Sequence, residues 1–200
     1  MIEKRIGTEV YGVPSKFTLR FYGEEDIPWL KRVFDSWQGL NMCLGGGAAG
    51  GTELTHKERK VNVPEAISEI MYCLIENAGR YHRTKTDNLK DSSFDAYNVI
   101  TGKTIQLKST QIEYDCTSFG PNSKQDKLVF MDLYNDGNID GTVDVYDIPY
   151  DLIKVSLVNK KLGITFEERL LEGKRPRLSV KKSVIIPHNI QPIHKGIKLW

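Results

Sequence analysis

Long apolar runs, a cysteine framework and a strong net charge are all missing from this 200-residue sequence. No stretch approaches the roughly 18 apolar residues that a membrane-spanning helix requires, so no membrane partner is expected. The first dozen residues contain no apolar run, so no secretory leader is expected either. The three unevenly spaced cysteines Cys43, Cys73 and Cys116 form neither a disulfide framework nor a zinc pattern. These absences predict a cytoplasmic protein with reduced thiols.

A phosphate-binding loop is also missing. The run GGGAAGG at residues 45–51 is followed by Thr52 and Glu53, where such a loop needs Lys and then Ser or Thr. This excludes a nucleotide-binding P-loop and predicts a linker, or a loop that becomes ordered against a ligand.

The positive charge is concentrated near the C-terminus, although the formal net charge is only +2. Residues 174–200 contain seven Lys or Arg residues and no Asp or Glu. Such a segment is typical of nucleic-acid contact, because phosphate neutralisation is the main sequence-independent term in binding, or of a solvated face. The length suits one domain, 1–200, that carries this basic segment at its end.

The pattern of apolar residues predicts strands and helices in mixed order. Strands are expected at 17–22, 92–100, 104–114, 127–134 and 142–148, and helices at 24–40, 61–80 and 165–173. In the first helix the residues predicted to face the core are Trp29, Val33, Phe34 and Trp37. The fold class expected is therefore α/β, in a mixed α+β arrangement, with a central mixed β-sheet flanked by helices.

A hairpin around residues 101–103 carries the residues best suited to chemistry. On the strand that follows the turn, Gln106, Lys108 and Thr110 point to one face, whereas Ile105 and Leu107 point to the other. Antiparallel pairing brings Asp95, on the preceding strand, to the same sheet edge. A carboxylate and an amide oxygen suit a hard cation, and a lysine beside them suits a scissile phosphate. The same string also fits a surface hairpin with a solvated polar face.

The glutamine supplies no charge, so such a site needs a further acid. The second helix carries Glu65 and Glu69, and either of them can supply this acid. The predicted ligands of Mg²⁺ are therefore Asp95, Gln106, Glu69 and Glu65. Glu69 is the first choice and Glu65 the second, and the alternative for both is an ordinary exposed helix glutamate.

Several blocks resemble a known family. An Asp followed by (Asp/Glu/Gln)-x-Lys, with a glutamate-bearing helix upstream, is similar to the PD-(D/E)xK nuclease superfamily. More narrowly, VNVPEAISE, VITGKTIQLKST, DCTSFGPNS, IDG and GKRPRLS resemble a small family of type II restriction endonucleases that cut GCNGC. The blocks span roughly residues 60 to 180. The sequence departs from the superfamily pattern at Phe94, where proline is nominal, and at Gln106, where an acid is usual.

The resemblance implies a magnesium-dependent enzyme that hydrolyses duplex DNA within a short palindrome. Asp95, Gln106, Lys108 and Glu69 would be catalytic. A symmetric target further implies a homodimer, and host protection implies a cognate DNA methyltransferase in the same system. The alternatives are a structure-specific or repair nuclease of the same superfamily and a non-catalytic DNA-binding protein.

A set of DNA-contacting residues follows from this resemblance. Arg175 and Arg177 suit guanine edges or phosphates, and Asp126 suits cytosine N4 or a salt bridge within its loop. The complete set predicted to contact DNA is Thr110, Ser118, Ser123, Lys124, Asp126, Lys174, Arg175 and Arg177.

Overall fold

The computed structural model describes residues 2–10, 13–44, 61–82, 94–121 and 125–200, with side chains from residue 18 onward. The glycine-rich run at 45–51, Ser123 and Lys124 lie outside the described residues, and so do the predictions made for them.

An eight-stranded mixed sheet forms the centre of the fold. Numbered along the chain, its strands lie side by side in the order β1 (Ile2–Val10), β2 (Val13–Phe21), β3 (Gly79–His82), β4 (Ala96–Asn98), β5 (Lys103–Thr110), β7 (Lys127–Asp132), β8 (Val143–Ile148) and β12 (His194–Ile197). β5 and β7 run parallel, and every other neighbouring pair is antiparallel. The predicted class, a mixed sheet with flanking helices, is confirmed.

Within the described ranges, two small sheets and four α-helices accompany the central sheet. β6 (Thr117–Ser118) pairs with β11 (Arg177–Leu178), and β9 (Leu157–Asn159) pairs with β10 (Ile164–Thr165). The helices are α1 (Ile27–Leu44), α2 (Glu65–Glu76), α3 (Tyr150–Lys154) and α4 (Phe166–Leu171), with a π-helical segment at Lys181–Ile185 and single 3₁₀ turns at Glu24–Asp26 and Asn135–Gly137. No helix in the described ranges is long and apolar enough to cross a membrane.

α1 buries a different stripe from the one predicted. Leu30, Phe34 and Trp37 are buried, whereas Trp29 is 44% exposed and Val33 is only partly buried. The predicted core position of Trp29 was therefore wrong. Leu30, Phe34 and Trp37 recur at spacings of four and three, which is one face of a helix, and Trp29 lies a helical step away from it.

α2 is the most deeply buried helix, and it bears on the site most directly. Pro64 stands immediately before its first residue, and Asn77 ends it with a left-handed backbone (φ 49°). Every residue from 67 to 73 is buried, because α2 packs with α1 against one face of the sheet.

The two faces of β5 are separated as strand parity requires. Ile105 and Leu107 join the core on the side of α1 and α2. On the parallel neighbour β7, Leu128 and Phe130 join the core of the opposite face, together with α4 and the π-helical segment. Since Leu128 and Phe130 stand beside Gln106 and Lys108 in register, the latter two point to that opposite face.

Both strands of the predicted hairpin are shorter than expected. β4 covers only Ala96–Asn98, so Asp95 lies just before it rather than within it. β5 ends at Thr110, whose carbonyl accepts from Leu133 N at 2.9 Å. The chain then turns, because the Thr110 hydroxyl and the backbone of Ile112 bond to each other at 3.2 Å.

Candidate active site

Asp95 and Gln106 are in direct contact. Gln106 Nε2 donates to Asp95 Oδ2, and the backbone N–H of Leu107 donates to the same oxygen at 2.7 Å. The backbone of Asp95 is held from both sides, because its N–H donates to Ile105 O and its carbonyl accepts from Tyr81 N, each at 2.8 Å. The carboxylate is thus fixed at the point where β3, β4 and β5 meet.

Lys108 lies two residues further along β5, on the same face as Gln106. Its ammonium stands 5.6 Å from the centroid of the Phe119 ring, and its positive charge acts to lower the pKa of Asp95. The side chain is half-buried. A lysine packed in this way is held near the carboxylate, because the ring takes up its aliphatic stem and attracts its charge.

Glu69 brings a second carboxylate to this place from α2. It is 9% exposed, and Arg80 Nε donates to its Oε2 at 2.5 Å. Arg80 is on β3 and pairs with Ala96, the residue after Asp95. Glu65 lies one helical turn before Glu69 and is exposed.

Burial sets the protonation of both acids. It raises the pKa of Asp95 to about 6, against the opposing effects of Leu107 N–H and Lys108. Burial raises the pKa of Glu69 to about 7, the negative charge of Asp95 adds to the shift, and Arg80 only partly offsets it. A cation bound near these two acids would oppose both shifts, because a nearby positive charge favours the ionised carboxylate.

A polar cleft of about 650 Å³ joins these groups. Glu65, Glu69, Asp95, Gln106 and Lys108 all line it, together with Thr110, Asp115, Cys116, Ser118 and Arg177. Oδ1 of Asp95 and Oε1 of Glu69 accept no hydrogen bond from any described residue.

The oxygen donors fit a hard cation. No cluster of three or more His, Cys, Asp or Glu suited to a metal occurs among the described residues. The cleft is nevertheless lined by the carboxyl groups of Asp95 and Glu69 and by Gln106, whose amide oxygen is a further potential ligand. Two carboxylates and an amide oxygen are the kind of ligands that Mg²⁺ takes together with water.

The residues predicted to contact DNA are divided between places. Ser118 and Arg177 face each other across β6 and β11 at the cleft, and Arg177 is exposed. Lys174 and Arg175 are exposed just before β11, and Lys174 pairs with Glu172 at 2.9 Å.

Asp126 and Thr110 are engaged within the protein. Asp126 Oδ2 accepts from the backbone N–H and the hydroxyl of Thr104, each at 2.8 Å, and it lines a different cavity at the opposite end of β5. Thr110 lines the main cleft but is buried, with its hydroxyl in the turn after β5. Direct contact of either residue with DNA stays a prediction.

Sequence reasoning did not single out Arg80 or Asp115. Arg80 has no local signal, since only the pairing of β3 with β4 brings it under α2. Asp115 lies in the block DCTSFGPNS, which resembles the family, but no local pattern gives its carboxylate a role.

Comparison with known proteins points to one family. A family model described as the Bsp6I restriction endonuclease matches residues 22–187. The type II restriction enzyme Bsp6I from Bacillus sp. (strain RFL6) is 31% identical over 167 residues, which cover 82% of this chain and 83% of that protein. No solved structure matches the chain significantly.

Proposed function

The chain belongs to the Bsp6I restriction endonuclease family and is a type II site-specific deoxyribonuclease; we propose that it cuts duplex DNA at GCNGC with Mg²⁺ as its cofactor. Asp95, Gln106, Lys108 and Glu69 are its catalytic residues in this proposal. The target sequence is taken from the resemblance of the sequence blocks, and the cofactor from the chemistry of the cleft.

One observation carries the proposal. Asp95, Gln106 and Lys108 come from two separate segments, Glu69 comes from a helix, and all four line one cleft. In a solvated surface hairpin Gln106 would be exposed, and an ordinary helix glutamate at position 69 would be exposed as well. Both side chains are instead buried, with less than 10% exposure.

The residues divide the chemistry of hydrolysis among them. Asp95, Glu69 and the amide oxygen of Gln106 would hold the metal, which when bound lowers the pKa of a water ligand and offsets charge on the phosphate. Lys108 orients the attacking water and neutralises the non-bridging phosphoryl oxygens. The water adds to phosphorus and one bridging P–O bond breaks.

Glu69 rather than Glu65 completes the site in this proposal. Glu69 is buried beside Asp95 and feels its charge, whereas the side chain of Glu65 is exposed. Glu65 also acts on the pKa of both acids, so it contributes negative charge to the cleft without being the first choice as ligand.

The biological setting follows from the chemistry of restriction. A palindromic site is matched most simply by a two-fold homodimer, and a host carrying this activity needs a cognate DNA methyltransferase. The enzyme would act in the cytoplasm, where foreign DNA arrives. Arg177 and Ser118 would contact DNA at the cleft, with Lys174 and Arg175 adding contacts to bases or phosphates.

Digestion of a plasmid of known sequence tests the proposal. With Mg²⁺ we expect discrete fragments whose sequenced ends all fall within GCNGC, and we expect no cutting in EDTA. Methylation of the target by a matched methyltransferase should protect the plasmid. Random degradation, or cleavage directed by branched structure in place of sequence, would contradict it.

A further inference from the structure

Asp115 is a buried carboxylate with four hydrogen-bond donors. It is 6% exposed, and its Oδ1 accepts from Ser179 Oγ at 2.8 Å and from Lys181 N at 3.2 Å. Its Oδ2 accepts from Val180 N at 3.0 Å and from Thr117 Oγ1 at 2.5 Å. Burial of a carboxylate is costly unless hydrogen bonds replace its lost hydration, and Asp115 has four such bonds. They hold together two segments that are distant in sequence.

One of these segments follows the strand that bears Lys108, and the other follows the strand that bears the exposed Arg177. Asp115 follows β5, which bears Lys108, after only a short turn. Its donors Ser179 and Val180 follow β11, which bears Arg177. β11 pairs with β6 over only two residue pairs, and one further bond runs from Phe119 N to Pro176 O at 3.1 Å.

The two strands β6 and β11 form a ribbon that is too short to fix its own position. Two-stranded pairs of this size are marginal in water, so other contacts have to hold them. Phe119 and Leu178 anchor the inner side of the ribbon in the core of one sheet face. Asp115 supplies the directional contacts that set the ribbon against the end of β5.

The ribbon and the residues after it present unpaired positive charge. Arg177 and Lys182 are exposed and form no ion pair with a described residue, and Lys182 lies 5.1 Å from the ring centroid of Tyr114, beside Asp115. Lys181, in contrast, forms an ion pair with Asp132, with 2.5 Å between Nζ and Oδ2. Arg177 and Lys182 are therefore available for phosphates.

We propose that Asp115 is a positioning residue for DNA: it holds Arg177 and the β6–β11 ribbon in register with Lys108, so that DNA bound by the ribbon meets the catalytic cleft. The inference rests on the proposed function and adds to it a residue that does not touch the reacting atoms. Asp115 acts through Arg177.

The test is Asp115→Asn, which keeps the size of the side chain but replaces one acceptor oxygen with a donor. Thr117→Val and Ser179→Ala each remove one of the four donors and serve if Asp115→Asn does not fold. Asp144→Asn is the matched control, since Asp144 Oδ1 also accepts a backbone N–H, from Gly196 at 2.7 Å, but away from the cleft.

Binding is measured in EDTA with a duplex oligonucleotide containing GCNGC, and cleavage kinetics are measured with Mg²⁺. We expect Asp115→Asn to raise Kd and KM by about tenfold or more with a much smaller change in kcat, as for a lost anchoring contact. The slope of log K against log salt should fall by about one, the value for one lost phosphate contact. Asp144→Asn should match the wild type.

A double-variant cycle separates positioning from stability alone. If Asp115 acts through Arg177, Asp115→Asn combined with Arg177→Ala should bind no worse than the weaker single variant. Fully additive losses, or a lowered Tm with wild-type Kd and salt slope, would overturn the inference while leaving the nuclease intact. A wild-type protein that neither binds nor cuts the duplex would overturn the proposed function, and this inference with it.

Discussion

Arg80 Nε donates to Glu69 Oε2 at 2.5 Å, and this pair joins β3 to α2 directly beside Asp95. Both partners are largely buried, with side-chain exposures of 22% and 11%. The guanidinium offsets the negative charge of Glu69 and fixes its carboxylate from one side.

Removal of Arg80 should destabilise the protein in a pH-dependent way. Arg80→Ala leaves Glu69 buried without its donor, at a cost of about 1–3 kcal/mol in the free energy of unfolding. The loss should be larger at pH 8, where Glu69 is charged, than at pH 5.5, where it is protonated. Urea denaturation at the two pH values measures both. Arg169→Ala, which breaks the exposed pair with Glu172, is the control and should cost less than about 1 kcal/mol.

Lys108→Ala should lose cleavage but keep DNA binding. Loss of a positioned charge at the phosphate is expected to lower kcat by about 10²–10³-fold, because that interaction is made mainly in the transition state. Single-turnover cleavage and duplex binding measure the two effects. Lys103→Ala changes an exposed lysine of the same strand that does not line the cleft. It should cut as the wild type does, and a fully active Lys108→Ala would remove Lys108 from the mechanism.

Gln106→Glu should remain active and bind the metal more tightly. The substitution restores the acid that resembling nucleases carry and adds a charged oxygen ligand where the amide now donates to Asp95. Gln106→Ala, whose side chain has no oxygen ligand, should weaken metal affinity by about 10–100-fold. Isothermal titration with Mg²⁺ compares the three proteins. Equal affinity in all three would show that position 106 is not a ligand.

Glu69 and Glu65 should differ in their contribution to cleavage. Glu69→Gln removes a buried charge beside Asp95 and should lower Mg²⁺-dependent cleavage by about 10²-fold or more, since each 1.36 kcal/mol of lost stabilisation is tenfold. Glu65→Gln, at an exposed position on the same helix, should lower it by less than about tenfold. Initial rates over a range of Mg²⁺ concentrations distinguish them, and the reverse order would make Glu65 the helix acid.

The metal-free protein should lose stability as pH rises through the cleft acids. Burial holds the pKa of Asp95 at about 6 and that of Glu69 at about 7, above the values near 4 expected in the unfolded chain. Between pH 4 and 7 the folded state therefore binds more protons than the unfolded state. The contribution of Asp95 and Glu69 to the free energy of unfolding is fully present below about pH 4 and is lost as pH rises through these pKa values.

Denaturation in EDTA at a series of pH values measures this effect. Mg²⁺ should raise stability most at high pH, where the acids are ionised and ready to bind it. A variant with both Asp95→Asn and Glu69→Gln should show a flatter pH profile than the wild type and no response to Mg²⁺. An unchanged profile in that variant would assign the pH dependence to other groups.

Local pattern was sufficient for much of the fold. Alternation on β5 placed Ile105 and Leu107 on one face of the sheet and Gln106 and Lys108 on the other, because side chains on a strand point to opposite faces. Periodicity alone was insufficient on α1, where it includes Trp29 in the stripe although the structure leaves this residue exposed. Several apolar faces of a helix satisfy the same spacing, and only the position of the sheet selects one.

The sequence by itself determined the family, and it singled out Asp95, Gln106 and Lys108 as the candidate catalytic residues, because both depend on the order of residue types along the chain. Tertiary structure decided how Glu69 differs from Glu65, since the burial of Glu69 and its contact with Arg80 are properties of packing. It also decided the place of Asp115, because three of its four hydrogen-bond donors lie more than 60 residues further along the chain. No local sequence pattern predicts contacts between residues so far apart, because these contacts form only when the sheet and the C-terminal segment pack together.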